Sequence, residues 1–449
     1  MKKSILLGAA ALAAVALAAP QAADAGEVKL GGYYLFRMVS TDNTPTDVAG
    51  DENANFWAQR LQLNVDMKAS DKSHAHMVTR VLDGKVVEGS DQIFGGAAAA
   101  GTGALGAADW QVRQLWLETE AWGVGLKVGN MPIALNDGLL VDNDVTSYGT
   151  ILLAKNFGGV TVVAADVKVD EGYAAAVAAQ AAMPIDQNHK DTDLFVLSAL
   201  GKIDAYDYQL TGAYLKGQNK STTLTDITDG WIALTLSTKF QGIDLVGTAI
   251  YETGADVPAT GVGTKQLEDS GTFLALRAKG AAGFGGWNGY AFYGSTDFTS
   301  PLVQNNEAKW SPTWDSSGPG SQDLMQRALT GLAGNNSATA GGNTAGFFSN
   351  ESNMWGIGAG LAINAGAWTI KPSLDYAHVV EDYDLTNRTI QANYTSAWGG
   401  TVGFSTKIQE ATTFDLSGTW VDPKLSTRPA AVLNADVMHY IQASVRMDF

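Results

Sequence analysis

The 449-residue chain contains no cysteine. It can therefore carry no disulfide, no thiolate metal site, no cysteine nucleophile and no lipid-modified cysteine. Charge is sparse: 17% of residues are Asp, Glu, Lys or Arg, against about 25% in a typical soluble domain. Proline is scarce, at 11 residues. Basic residues are outnumbered, 29 against 46 acidic, which gives a formal net charge of −17. That balance argues against nucleic acid and acidic lipid surfaces as partners. Glycine, by contrast, is abundant at 51 residues. It lacks the three-residue period of collagen, and a hydrophobic content of 45% is too high for a disordered chain.

Beyond residue 25 there is also no run of about 18 apolar residues, the length an apolar helix needs to cross a bilayer. The nearest, Trp355 to Ile370, is broken by Gly356, Gly358, Gly360, Asn364 and Gly366, and it reads as two strands around a turn. The chain opens with Met1-Lys2-Lys3, continues through an uncharged stretch from Ile5 to Ala19, and reaches Ala23-Asp24-Ala25. A basic start, an apolar run and a small-residue cleavage site make a secretory signal peptide over residues 1–25. Its removal takes away Lys2, Lys3 and Asp24 and leaves a formal charge of −18. An exported chain without apolar helices is either secreted or a closed β-barrel in an outer membrane.

What is present is alternation. Val28, Leu30, Gly32, Tyr34, Phe36 and Met38 share one face, and Lys29, Gly31, Tyr33 and Arg37 share the other. Trp57, Leu61, Leu63, Val65, Met67 and Ala69 oppose Arg60, Gln62, Asn64, Asp66 and Lys68, a face too polar for a protein core. A soluble β-sandwich alternates as well, so three further features decide between the two. Segments of about ten residues or more suit tilted membrane strands. Very short connections, such as Ser70-Asp71-Lys72 and Ala121-Trp122, alternate with long ones, such as Gly84 to Asp109 and Phe298 to Ser352; this is the asymmetry of periplasmic turns and extracellular loops. Aromatics gather near segment ends at Trp57, Trp122, Phe157, Phe240, Trp355, Trp368, Trp398 and Trp420, as in interfacial girdles. The fold class is therefore all-β, a transmembrane antiparallel barrel. About eighteen segments can be counted; those beginning near Gly149, Thr192 and Gly286 are the faintest, so 16 to 18 strands are expected, enough to leave an aqueous channel.

The last segment places Ile441, Ala443, Val445, Met447 and the terminal Phe449 on one face, with Gln442, Ser444, Arg446 and Asp448 on the other. An amphipathic final strand ending in Phe resembles the signal by which outer-membrane barrels are recognised for assembly, and Val445, Met447 and Phe449 would carry it. The stretch Arg60 to Asp71 resembles the second strand and first periplasmic turn of the Gram-negative trimeric general porins. Gln114 to Glu118, followed by Leu126 to Asn130, is similar to the strands preceding their third loop. The resemblance implies a homotrimer, partners in outer-membrane lipid and the barrel-assembly machinery, and a barrel over residues 26–449 whose third loop, about 130–149, folds inward. In that family carboxylates on the loop face basic residues on the wall. Asp137, Asp142 and Asp144 suit the loop role, and Ile133, Leu135, Leu139, Leu140 and Val141 would be costly to leave in water. Arg37, Arg60, Arg80 and Arg113 are the wall candidates. The first three have lumen parity, whereas Arg113 shares a face with Leu115 and Leu117. Arginine suits such a wall because it stays charged and offers several donors, and opposed charges set a transverse field across the gap.

Other signals point to ordinary structure. His74-Ala75-His76 puts two imidazoles on one face, but no third zinc ligand lies nearby in sequence. No nucleophile frame, P-loop or dinucleotide fingerprint occurs, so neither enzymatic activity nor a cofactor is expected. Ser321 to Leu332 has helical spacing, and the acidic loop residues Glu268, Asp269, Glu381, Asp382 and Asp384 match no calcium-loop spacing. The expected function is a passive water-filled pore for small hydrophilic solutes and ions. The alternatives are a substrate-selective channel for a sugar, organic acid or inorganic ion, a structural or adhesive surface barrel, and a sheath around an electron-transfer partner.

Overall fold

The computed structural model describes residues 26–42, 54–86, 111–142, 148–170, 192–218, 226–254, 270–295, 298, 302–303, 354–379, 393–427 and 437–449. Residues 1–25, expected as a signal peptide, Asp144, the helical pattern at 321–332 and the acidic residues 268, 269, 381, 382 and 384 lie outside these.

Every regular element among the described residues is a strand. The first half of the barrel comprises β1 (Glu27–Asp42), β2 (Ala54–Ser70), β3 (Ser73–Val86), β4 (Gln111–Ala121), β5 (Val124–Met131), β8 (Tyr148–Phe157), β9 (Val160–Asp170), β10 (Thr192–Ile203) and β11 (Tyr206–Gln218). The second half comprises β12 (Asp226–Phe240), β13 (Ile243–Glu252), β14 (Thr272–Ala282), β15 (Gly285–Gly294), β17 (Met354–Ala365), β18 (Trp368–Val379), β19 (Asn393–Gln409), β20 (Thr412–Thr427) and β21 (Met438–Asp448). These form one 18-stranded sheet in which each strand pairs antiparallel with its neighbours. It closes where β21 pairs with β1, Ser444 opposite Arg37 and Asp448 opposite Tyr33. Three short strands, β6 (Ala134–Leu135), β7 (Val141–Asp142) and β16 (Leu302–Val303), form a separate small sheet.

The faint patterns near Gly149, Thr192 and Gly286 are all genuine strands, which makes the count eighteen. Two strands start ahead of Trp231 and Trp398, where the sequence pattern places them, at Asp226 and Asn393. Residues 54–58 open β2, but the side chain of Trp57 lies outside the described set. The run from Trp355 to Ile370 is split between β17 and β18 around Gly366, whose φ is +65°. At Trp122-Gly123 and Gln241-Gly242 both φ angles are positive, as in the tight two-residue turns that match strand twist. Glycine makes that geometry unstrained at the second position.

Pleat parity sorts side chains between lumen and lipid. Leu30, Leu117, Ile151, Leu197, Ile232, Leu276 and Ile441 project outward and are exposed. A closed barrel that presents such a face belongs in a membrane, because closure leaves no unpaired edge and the apolar band meets hydrocarbon. Phe157, Tyr206, Phe240, Phe284 and Trp368 stand exposed near the short turns, forming the inner girdle. At the other strand ends Trp355, Tyr376 and Trp398 pack ring against ring, with centroids 5.3 and 4.6 Å apart.

Candidate functional site

The segment after β5 runs into the barrel. Its tip, Asn136-Asp137-Gly138, has three consecutive positive φ angles of 53°, 59° and 76°. Asn, Asp and Gly are the residues that tolerate this left-handed region best. The turn is closed by the Gly138 and Leu139 amides, which donate to the carbonyls of Leu135 and Asn136 at 3.0 and 3.1 Å.

Polar contacts pin the tip to the wall. The Asn136 amide donates to Gln209 Oε1 at 3.0 Å, and Asn136 Nδ2 donates to the Gln209 carbonyl and to Thr235 Oγ1, each at 3.2 Å. Asp137 forms a two-oxygen ion pair with Arg277 Nη2, at 2.8 and 2.7 Å. Gln209, Thr235 and Arg277 lie on the lumen faces of β11, β12 and β14.

Apolar packing reinforces these bonds. Met131, Ile133, Leu135, Leu139, Leu140 and Val141 are buried in one cluster with the lumen-facing Val167, Leu194, Val196, Ala233, Ile250 and Phe273. Each such side chain contributes roughly 1.5–3 kcal/mol on burial, so the segment stays on this side of the barrel. The long connection after β15 joins it: Leu302 and Val303 pair in parallel with Val141 and Asp142 of β7, which in turn pairs with β6. Phe298 stacks on Phe273 with centroids 5.3 Å apart, and the stack continues through Phe292 to Tyr290. The Tyr290 hydroxyl donates to Asp375 at 2.7 Å. Glycine is required at 358, where a Cβ would lie 2.2 Å from Asp375 Oδ1 and 2.3 Å from the Tyr290 ring.

The arginines expected on the wall occupy the opposite sector. β3 and β14 are nine strands apart in either direction around the barrel, so Arg80 and Arg277 stand on opposite sides of it. Arg37 pairs with Ala58 and Ser444, and Arg60 pairs with Leu35. Arg446 is also opposite Leu35, from the other side. Arg80 sits opposite Gln62 and donates from Nε to Gln62 Oε1 at 3.4 Å. Because Gln62 is level with Tyr33, Arg37, Arg60 and Arg80 descend in steps of two residues along β1. They form a stair, whereas their positions along neighbouring strands in the sequence point to similar depth. Arg113 falls at a register shift between Val78 and Thr79, which places Val112 opposite Thr79. Counting parity from Leu115 therefore does not set its direction, because a bulge re-aims its extra residue.

Of the loop aspartates, Asp137 has its partner on β14, and the backbone of Asp142 pairs within the small sheet. Two contributors escaped the sequence reading. Arg277 lies on the lumen face of β14 with Phe273, Ala275 and Lys279, opposite Leu274, Leu276 and Ala278, so alternation gives its face, but nothing in the sequence ties it to a loop 140 positions away. The Asn136-Asp137-Gly138 turn is legible as turn chemistry, but the sequence does not show which wall residues it meets. Below the stair, His76 Nδ1 bonds to Asp66, and Lys127 pairs with Glu118 at 3.0 Å while lying 4.9 Å from the Trp116 ring. Among the described residues no three His, Asp or Glu side chains converge as a metal site.

Neither a protein-family model nor a curated protein matches the chain. Solved structures do. OccK8 (OprE) of Pseudomonas aeruginosa superposes with a TM-score of 0.53 at 10% identity, covering 94% of this chain and 98% of that one. OccAB1 of Acinetobacter baumannii gives 0.53 at 11% identity, with 94% and 97% covered. P. aeruginosa OccK2 (OpdF), solved in complex with glucuronate, gives 0.51 at 11% identity, with 94% and 98% covered. The fold of this chain is thus that of outer-membrane channel barrels, nearly end to end.

Proposed function

We propose that the protein is an outer-membrane channel through which small hydrophilic solutes and ions diffuse passively down their gradients, narrowed by the segment around Asn136 to Val141. The observation that carries this reading is the division of the lumen. The segment packs against the apolar lumen faces of β9 to β14, and the arginines of β1, β2, β3 and β21 stand on the opposite sector. Transport through such a gap needs water, a size limit and a field, and no chemistry.

A substrate-selective channel is the second reading, favoured by the guanidinium stair of Arg37, Arg60 and Arg80 with Arg446 beside it. Arginine matches a carboxylate bidentately, and a solute bearing one would meet successive partners as it descends. The glucuronate bound by OccK2 is a solute of this kind. Conductance in a planar bilayer under a salt gradient tests both readings. A steady open current supports the channel, and saturable block by glucuronate supports selectivity. Replacing Arg37, Arg60 and Arg80 with glutamine should move the reversal potential toward cation preference. An unchanged potential would remove the stair from the conduction path, and a barrel that passes no current would overturn the channel itself.

A further inference from the structure

Below the tip of the inward segment, toward the short turns, the lumen wall holds a recess of about 590 Å³, bordered by Asp137 and lined mainly by β9 to β13. The register builds it from two levels. Thr161, Leu200, Gln209 and Thr235 stand in one row. One level nearer the short turns, Lys202, Asp207, Ser237 and Val246 stand in the next, which ends at Arg277 on β14. Tyr208, between the two rows, turns its ring to the outward face over Gly201, where a Cβ would meet the phenol oxygen at 2.7 Å. The recess therefore offers hydrogen bonds and no aromatic platform.

Its charges are cancelled in pairs. Asp137 is held by Arg277, and Lys202 Nζ lies 3.7 Å from Asp207, both side chains being solvated at the rim. The back wall is fixed by its own bonds: Gln209 Oε1 accepts from the Asn136 amide, Gln209 Nε2 donates to Ser198 Oγ at 3.2 Å, and the Thr235 and Thr248 hydroxyls are 2.9 Å apart. Thr161 and Ser237 are half-buried, and a hydroxyl can both donate and accept. Thr161 Oγ1 accepts from Asn156 Nδ2 at 3.4 Å, which leaves its own proton for a solute.

We propose that this recess is a binding site for neutral polyhydroxylated solutes, sugars or polyols, on the turn side of the narrowing. Its volume falls within the range of about 300–1,000 Å³ usual for small-molecule sites. An ion gains little from two cancelled pairs and would have to displace one of them. A neutral polyol instead exchanges its water for hydroxyls, an amide and carboxylates already held in place, which lowers the cost of ordering them. Anions have their partners in the arginine sector, so the two sides of one lumen would sort two classes of solute. The inference deepens the channel reading and rests on it, because it names a class of solute that would pause below the constriction.

The test is saturation-transfer NMR of the purified barrel in detergent, titrated with methyl glucoside, a neutral pyranoside. Binding to the wild type should be saturable. It should also be unchanged between about 0.1 and 1 M salt, over which the screening length falls from about 10 to 3 Å, because no net charge is engaged. The Thr161→Val/Ser237→Ala variant removes the two rim hydroxyls with little change in shape. Each loss should weaken binding about threefold, and the pair on the order of tenfold. Ser237→Phe, which fills the recess, should abolish binding, and heat-modifiable migration on gels checks that both variants fold. Equal affinity of wild type and double variant, no saturable binding to the wild type, or marked weakening by salt overturns the site. Planar-bilayer conductance of the same preparations reads the channel separately. A conducting barrel that does not bind the pyranoside loses only the recess, and a silent barrel that binds it through the two hydroxyls keeps the recess and loses the channel.

Discussion

Asp137 and Arg277 show how much can hang on one pair of side chains. Both are half-buried, at 19% and 14% exposed, and they join the tip of an otherwise loop-bound segment to the barrel wall. Removing one partner of such a pair leaves the other charge without compensation, which costs more than the intact pair contributes. Arg277→Gln should therefore loosen the tip while leaving the barrel assembled, since the eighteen-strand ladder does not involve this contact. The expected single-channel signature is a larger and noisier current. Asp137→Asn should produce similar noise, and the double variant should be little worse than either single one, because the two residues act on the same contact. Currents as quiet as wild type in both singles would mean that the apolar packing of Leu139 and Leu140 alone holds the segment. At this scale the residue types were legible and their partnerships were not. Asp137 announces itself as a loop carboxylate, but the arginine that receives it is 140 positions away, and no local pattern in the sequence links the two.

The terminal strand is the clearest case of an element with a single purpose. β21 must pair on both sides to close the sheet, and its end is tied into β1: the Phe449 amide donates to the Gly32 carbonyl at 3.1 Å, and the Gly32 amide donates to the Phe449 carbonyl at 3.0 Å. Val445, Met447 and Phe449 stand exposed on the outward face, while Arg446 and Ser444 look into the lumen. Deleting Phe449 removes both hydrogen bonds at the seam and the last outward apolar side chain. The amount of folded barrel recovered from the outer membrane should fall severalfold, measured by heat-modifiable migration on gels. Wild-type amounts of the truncated protein would show that closure does not depend on this residue. β16 makes the contrary point about legibility. Two residues of a long connection supply a parallel strand to the inward segment, and nothing in Leu302-Val303 distinguishes them in sequence from other apolar pairs.

For the whole molecule the question is which charges an ion experiences. The chain carries −17, and charge on the rims attracts cations to the mouths. In physiological salt that influence is screened over about 8 Å, whereas arginines in a narrow gap act at contact distance. With Asp137 neutralised by Arg277, the loop contributes less negative field than its three aspartates suggest. The barrel should thus favour cations most strongly at low salt and shift toward anions as salt rises at a fixed concentration ratio. A reversal potential independent of ionic strength would refute the division between screened rim and unscreened wall.

Alternation, the lengths of the connections and the final amphipathic strand were enough to determine a closed antiparallel barrel, its strand count within two, and the sorting of most side chains between lipid and water. Those properties follow from local repetition, because a period of two fixes the face of every residue until a bulge intervenes, as it does beside Arg113. The positions of the inward segment, its apolar seat on β9 to β14, the Asp137–Arg277 pair and the stepped arrangement of Arg37, Arg60 and Arg80 were decided only by the tertiary structure. They depend on which strands face each other across a ring of eighteen and on how far each is staggered against the next, and closure sets both at once for the entire chain.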